Sequence, residues 1–248
     1  MITVGIDLAA QPKGTAVCEI EWTVGRADVR SIRVGADDEV LLRAFGAGEK
    51  VGIDAPFGWP DAFVEAVAAH REGRRWPEEP DDCRESLRLR HTDLQVHQQT
   101  GIWPLSVSAN LIAIPAMRLG RLMSRYNETG GSVPRDGSGR LVEVYPAAAL
   151  TIWELPATGY KGKKDQAQRL ELAERLLKTA PWLNAHEGHW ALCRQRDDAL
   201  DAVVAAIIAR TVAVGQCQPI PPDLRESARR EGWIALPLPG SLGLVAAL

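Results

Sequence analysis

The tetrapeptide Val-Gly-Ile-Asp occurs twice, in ITVGIDLAAQPKG from Val4 to Asp7 and in KVGIDAPFGWP from Val51 to Asp54. Nothing else around the two copies marks an internal duplication, yet each ends a short apolar run on an aspartate. Alternation of apolar with small or polar residues is the period of a strand, and an aspartate is an ordinary residue for the turn that follows. Two such strands lying parallel as neighbours would place both carboxylates together at their carboxyl ends, where open α/β sheets bind ligands. Whether they are neighbours depends on what the chain does between and after them.

Residues 2–8 alternate as a strand, a Pro-Lys-Gly turn leads into a second over 15–23, and 27–34 reads as a third, so the chain opens as an antiparallel meander. Asp37 caps a helix through 45, and 50–55 is an apolar run closed by Pro56. A strand reached through a helix lies parallel to a partner, which makes this fourth strand a parallel neighbour of one of the first three. Residues 61–71 read as helix, 74–82 as a charged, Pro-rich stretch, 84–100 as helix again and 130–139 as a Gly/Ser/Pro loop. A fifth strand spans 141–145, and helices follow over 166–179 and 198–214. The order is that of a ribonuclease H-like α/β fold: a mixed five-stranded sheet flanked by helices, strands one and four central and parallel. It makes one domain over 1–248, with an insertion over about 57–140. A chain of 248 residues, 46% hydrophobic, suffices for one such core.

On this arrangement Asp7 and Asp54 meet. Gly5 and Gly52, two residues earlier on the same face, leave room for something to come close. Adjacent carboxylates repel unless a cation lies between them, and oxygen-only ligation suits Mg2+ or Mn2+. The segment RDDALDAVVAAIIAR adds Asp198 and Asp201, three apart on one helical face. Asp198 has an ordinary reason to be there, since first-turn carboxylates complement the helix dipole, and Asp197 is a candidate cap. Asp201 lies among Leu200, Ala202, Val203 and Val204, where an unpaired carboxylate is costly, so a metal or a buried partner is expected. Glu143, on the face of Leu141 and Tyr145, is either a half-buried ion-pair member or a further metal ligand.

The set GIDLA, GIDAPFGWP, RLRHTD, EVYPAAAL, GYKG and DDALDAVVAA, in that order, resembles the predicted ribonuclease H-like nucleases grouped as domain of unknown function 429. The D-A-x-D-A at Asp198 to Ala202 is similar to the last helix of RuvC-type resolvases, where two such aspartates hold catalytic metal. The resemblance implies catalytic, metal-binding roles for Asp7, Asp54, Asp198 and Asp201. Those enzymes carry glutamate on the fourth strand, and Asp54 is shorter. Arg90 and Asp93 match the motif R-x-T-D, which implies a place beside the site, toward substrate. Lys161, Lys163 and Lys164 precede a helix and could meet phosphate, or serve only solubility.

The implied activity is two-metal hydrolysis of a nucleic-acid phosphodiester. Two alternatives stand beside it. An actin-like or sugar-kinase-like phosphotransferase is suggested by GIDLAAQPKGTAV, but Ala9 and Ala10 fill the turn that such a phosphate loop needs glycine for, and the chain is short for two domains. A non-catalytic interaction protein is suggested by the net charge of −3, which supplies no global field for nucleic acid. Arg71, Arg74, Arg75, Arg84, Arg88 and Arg90 are interleaved with Glu72, Glu78, Glu79, Asp81, Asp82 and Glu85, a pattern of self-pairing as much as of phosphate binding. Trp59, Trp76 and Trp103 could stack bases or pack on proline. The four scattered cysteines, Cys18, Cys83, Cys193 and Cys217, suggest neither disulfides nor zinc. With no leader or membrane span legible, a cytoplasmic location is expected, and oligomeric state is not legible.

Overall fold

The computed structural model describes residues 1–76 and 84–247. Glu78, Glu79, Asp81, Asp82 and Cys83 lie outside the described residues. The protein is α/β. Among the described residues its mixed sheet has seven strands rather than the five expected, in the order β6 (Leu183–Asn184), β3 (Arg26–Val34), β2 (Ala16–Thr23), β1 (Ile2–Asp7), β4 (Lys50–Asp54), β5 (Leu141–Val144) and β7 (Ile234–Ala235). β1 (Ile2–Asp7), β2 (Ala16–Thr23) and β3 (Arg26–Val34) form the antiparallel meander, and α1 (Asp38–Ala47) leads to β4 (Lys50–Asp54). The Asp37 carboxylate caps α1 by accepting from the Val40 N–H. β4 pairs parallel with β1, and β5 (Leu141–Val144) parallel with β4. The two extra strands, β6 (Leu183–Asn184) beside β3 and β7 (Ile234–Ala235) beside β5, are two residues each, too short to show any periodicity.

Pairing of β1 with β4 sets the two tetrapeptides in register, Val4 on Val51, Gly5 on Gly52, Ile6 on Ile53 and Asp7 on Asp54. Successive residues then point to opposite faces. Val4, Ile6, Val51 and Ile53 bury against Leu41 and Phe45 of α1 and Leu119 and Leu122 of α5 (Ala113–Glu128). The other face packs α9 (Asp197–Ala213), a helix whose residues 198–211 are all buried. A Cβ on Gly5 would sit 2.0 Å from the Ala202 carbonyl oxygen and 2.2 Å from the Ala206 nitrogen, and one on Gly52 would sit 2.5 Å from the Ala205 oxygen. The close visitor that the glycines admit is therefore the backbone of α9. Alanines at the crossing let the helix settle onto the strands, and its first turns reach their carboxyl ends.

The insertion holds α2 (Asp61–Arg71), α3 (Arg84–Arg88), α4 (His91–Thr100) and α5. The single helix expected over 84–100 is broken at Arg90, which takes an extended backbone as the N-cap of α4, with the Asp93 side chain accepting its N–H. α6 (Pro146–Ile152) follows β5. α7 (Gln166–Thr179) and α8 (Glu187–Gln195) lead to α9, and α10 (Arg225–Glu231) precedes β7. Among the described residues, no helix is long and apolar enough to cross a membrane.

Candidate metal centre

Three carboxylates converge where β1, β4 and α9 meet. Each of Asp7, Asp54 and Asp201 offers an oxygen, and these oxygens all lie within 4.8 Å of one another. Asp7 and Asp54 are half-buried at paired positions of the strands, and Asp201, 1% exposed, comes from the first turns of α9. The Tyr160 hydroxyl donates to Asp201 Oδ1 at 2.8 Å. Lys161 Nζ lies 2.8 Å from Asp201 Oδ2 but is not aligned as a hydrogen bond, so this buried oxygen accepts none.

The electrostatics follow from the crowding. Burial, then the charges of Asp201 and Asp54, push the Asp7 carboxyl well above its usual range, with Lys161 partly compensating. Asp54 is pushed up to about 7 by burial and by Asp201 and Glu143, against the relief supplied by Lys161. For Lys161 burial disfavours the charge, but Asp201, Tyr160, Asp54 and Asp7 outweigh it and hold the ammonium firmly protonated. Asp7 and Asp54 resist ionising beside their neighbours, so the site is short of positive charge. An all-oxygen donor set with one buried carboxylate oxygen that accepts no hydrogen bond fits a hard divalent cation such as Mg2+ or Mn2+.

The loop that carries Tyr160 and Lys161 is held from beneath. Arg169, nearly fully buried on α7, donates to the carbonyls of Tyr160 and Gly162 on one side and of Arg194 and Gln195 on the other. Asp197, expected as the α9 cap, instead accepts from the Gly162 N–H at 2.9 Å, and Arg196 occupies the cap position. Tyr160 and Arg169 carry no signal in spacing, because their partners lie far along the chain. The GYKG motif is the trace that could have pointed to Tyr160.

Other residues expected at the site are engaged elsewhere. Asp198, proposed as a ligand, is within reach to raise the Asp7 pKa, but both its oxygens are taken. Oδ1 accepts from Arg196 Nε at 3.1 Å and from the Ala199 N–H, and Oδ2 pairs with Arg196 Nη2. Glu143, the other ligand candidate, sits opposite Ile53 in the β4–β5 register, near enough to raise the Asp54 pKa but outside the group formed by Asp7, Asp54 and Asp201. Its oxygens accept from both terminal nitrogens of Arg90 and from the Phe57 N–H. Arg90 and Asp93, placed toward substrate by their motif, are 2% and 0% exposed and bind each other. The five guanidinium N–H groups of Arg90 are consumed by Asp93, Glu143 and the Glu231 carbonyl, which leaves none for a phosphate. The work of this cluster is to tie the segment after β4 to β5 and α4.

In the arginine-rich insertion, Arg71 and Arg74 pair with Glu72. Trp103 stacks on the His97 ring at 3.6 Å, Trp76 meets His70 edge-on, and Trp59 is half-buried. Cys18, Cys193 and Cys217 are free thiols. No curated protein and no solved structure matches the chain. A model of the family described as protein of unknown function (DUF429) matches residues 5–226, and the chain belongs to that family.

Proposed function

We propose that the protein is a metal-dependent phosphodiester hydrolase, a nuclease of ribonuclease H-like architecture, with Mg2+ or Mn2+ held by Asp7, Asp54 and Asp201. One observation carries this reading: three carboxylates from separate elements share a space in which one buried oxygen of Asp201 has no hydrogen bond. The antiparallel meander followed by parallel β4 and β5 supports the architecture. Cations bound there would supply Lewis acidity toward the attacking water and the leaving oxygen. The protein contributes fixed geometry. β1 and β4 hold Asp7 and Asp54 in register, α9 presents Asp201, and Tyr160 orients that carboxylate through Oδ1. Lys161, half exposed and firmly charged, can turn a donor toward a phosphate oxygen while facing the same carboxylates.

The test is thermal stability with and without Mn2+, beside cleavage of a single-stranded oligonucleotide. Mn2+ should raise the melting temperature of the wild type and support cleavage. Asp54→Asn should remove both while keeping the fold. Absence of any Mn2+ effect on melting in the wild type would overturn the metal assignment.

A further inference from the structure

A cavity of about 410 Å³ opens beside the acidic group. Its wall is mostly apolar, with Ile102, Leu105, Ile112 and Ala157 among the lining side chains, and its polar members include Asp54, Tyr160 and Lys161 together with Glu143, whose carboxylate is held by Arg90. Such a volume is at the lower end of small-ligand pockets, room for one ring system and its substituents but not for stacked base pairs. Arg90 also lines the cavity, but its donors are spent within the protein. Lys161 keeps donors to spare, because its ammonium has three and faces a single carboxylate oxygen at ion-pair distance. A duplex-binding surface needs many phosphate contacts, whereas the wall here offers a cation for one phosphate and apolar surface for what that phosphate carries.

We propose that this cavity receives a flat, apolar group, an aryl ring or a nucleobase, carried on a single phosphodiester whose phosphate lies at Asp54 and Lys161. The substrate is then one unpaired nucleotide unit or a small organic phosphodiester, never paired strands. This rests on the hydrolase reading for the position of the phosphate, while the apolar recognition stands on the cavity alone.

Binding of two dead-end probes, phenyl phosphate and methyl phosphate, to the full chain by titration calorimetry tests it. Phenyl phosphate should bind about tenfold more tightly, since burying one ring is worth at least that factor. Leu105→Asp should bring the two affinities together, and because Leu105 is 60% exposed this change does not threaten the fold. Ala157→Trp, which fills the cavity, should do the same. Equal affinities in the wild type, or a ratio untouched by Leu105→Asp, would overturn the proposal. Displacement of phenyl phosphate separates the sources. A single-stranded oligonucleotide that competes points to an unpaired nucleotide, and bis(p-nitrophenyl) phosphate competing alone points to a small diester. A duplex that competes as well as either overturns the proposal. Repeating the titrations without Mn2+ tells the two readings apart: a phenyl preference that persists, with neither probe sensitive to Mn2+, upholds the cavity and sinks the hydrolase.

Discussion

Gly5→Ala perturbs both the fold and the site through a single methyl group. The added carbon would lie 2.0 Å from the Ala202 oxygen and 2.2 Å from the Ala206 nitrogen, and ordinary contact begins at 3.4 Å. Relief therefore requires a shift of about 1.4 Å between β1 and α9. Backbone atoms on both sides cannot rotate away. Overpacking of a core by one methylene costs about 1–3 kcal/mol where side chains can adjust, so the top of that range or beyond is expected here. For a chain of this size that is a fall of roughly 6–12 °C in melting temperature. The same shift carries Asp201 away from Asp7 and Asp54, so the Mn2+ affinity should fall with the stability. Gly52→Ala, with its contact of 2.5 Å to the Ala205 oxygen, should act in the same direction. Gly46→Ala and Gly120→Ala provide controls. They sit within α1 and α5 with nothing within 4 Å of the added carbon, and each should stabilise by about 0.5–1 kcal/mol. Thermal melts and Mn2+ titrations of the four variants check the reasoning. A Gly5→Ala protein as stable as the wild type with unchanged Mn2+ affinity would refute it.

Asp201→Asn should raise the melting temperature of the metal-free protein by a few degrees, since it relieves repulsion on Asp7 and Asp54 and keeps an acceptor for Tyr160. It should also remove stabilisation by Mn2+; a large metal-free loss with Mn2+ stabilisation intact would mean that Asp201 serves only to pair with Lys161. With folded pKa values of Asp7 and Asp54 raised above 3.8, the folded state holds protons that the unfolded state releases. Metal-free stability, followed by urea melts, should accordingly decline between about pH 4 and the Asp54 value of about 7, and Mn2+ should flatten that decline. A metal-free stability that rises over this window, with no other titrating group to account for it, would contradict the crowding. Arg90→Met should strand the buried carboxylates of Asp93 and Glu143 and cost about 3–5 kcal/mol. A melting temperature within a degree of wild type would show that this cluster does not hold the structure.

The pairing of β1 with β4 was legible because strand alternation, a helical connection and a repeated stop at aspartate all act locally. The short β6 and β7 were not, since two residues carry no period and owe their place to neighbours already in the sheet. α5 escaped the reading although Ala116, Leu119, Leu122 and Met123 recur at helical spacing and are buried. Its Pro115 lies in the first turn, where a missing N–H costs little.

Within the candidate site, the sequence determines which chemical groups exist and which can share a face. Asp7 and Asp54 end twin strands, and Asp198 and Asp201 share one side of a helix. Which of these carboxylates remain available was decided by the tertiary structure. Arg196 claims Asp198, and Glu143, though near Asp54, is claimed by Arg90 from 53 positions away. Spacing along a chain constrains only side chains carried by one regular element. Pairing between elements depends on how those elements pack, and here that packing rests on two glycines that let a helix backbone lie against the strands. Asp201 keeps a buried oxygen without a hydrogen bond, with Lys161 at ion-pair distance, while Arg196 and Arg90 are engaged by other carboxylates.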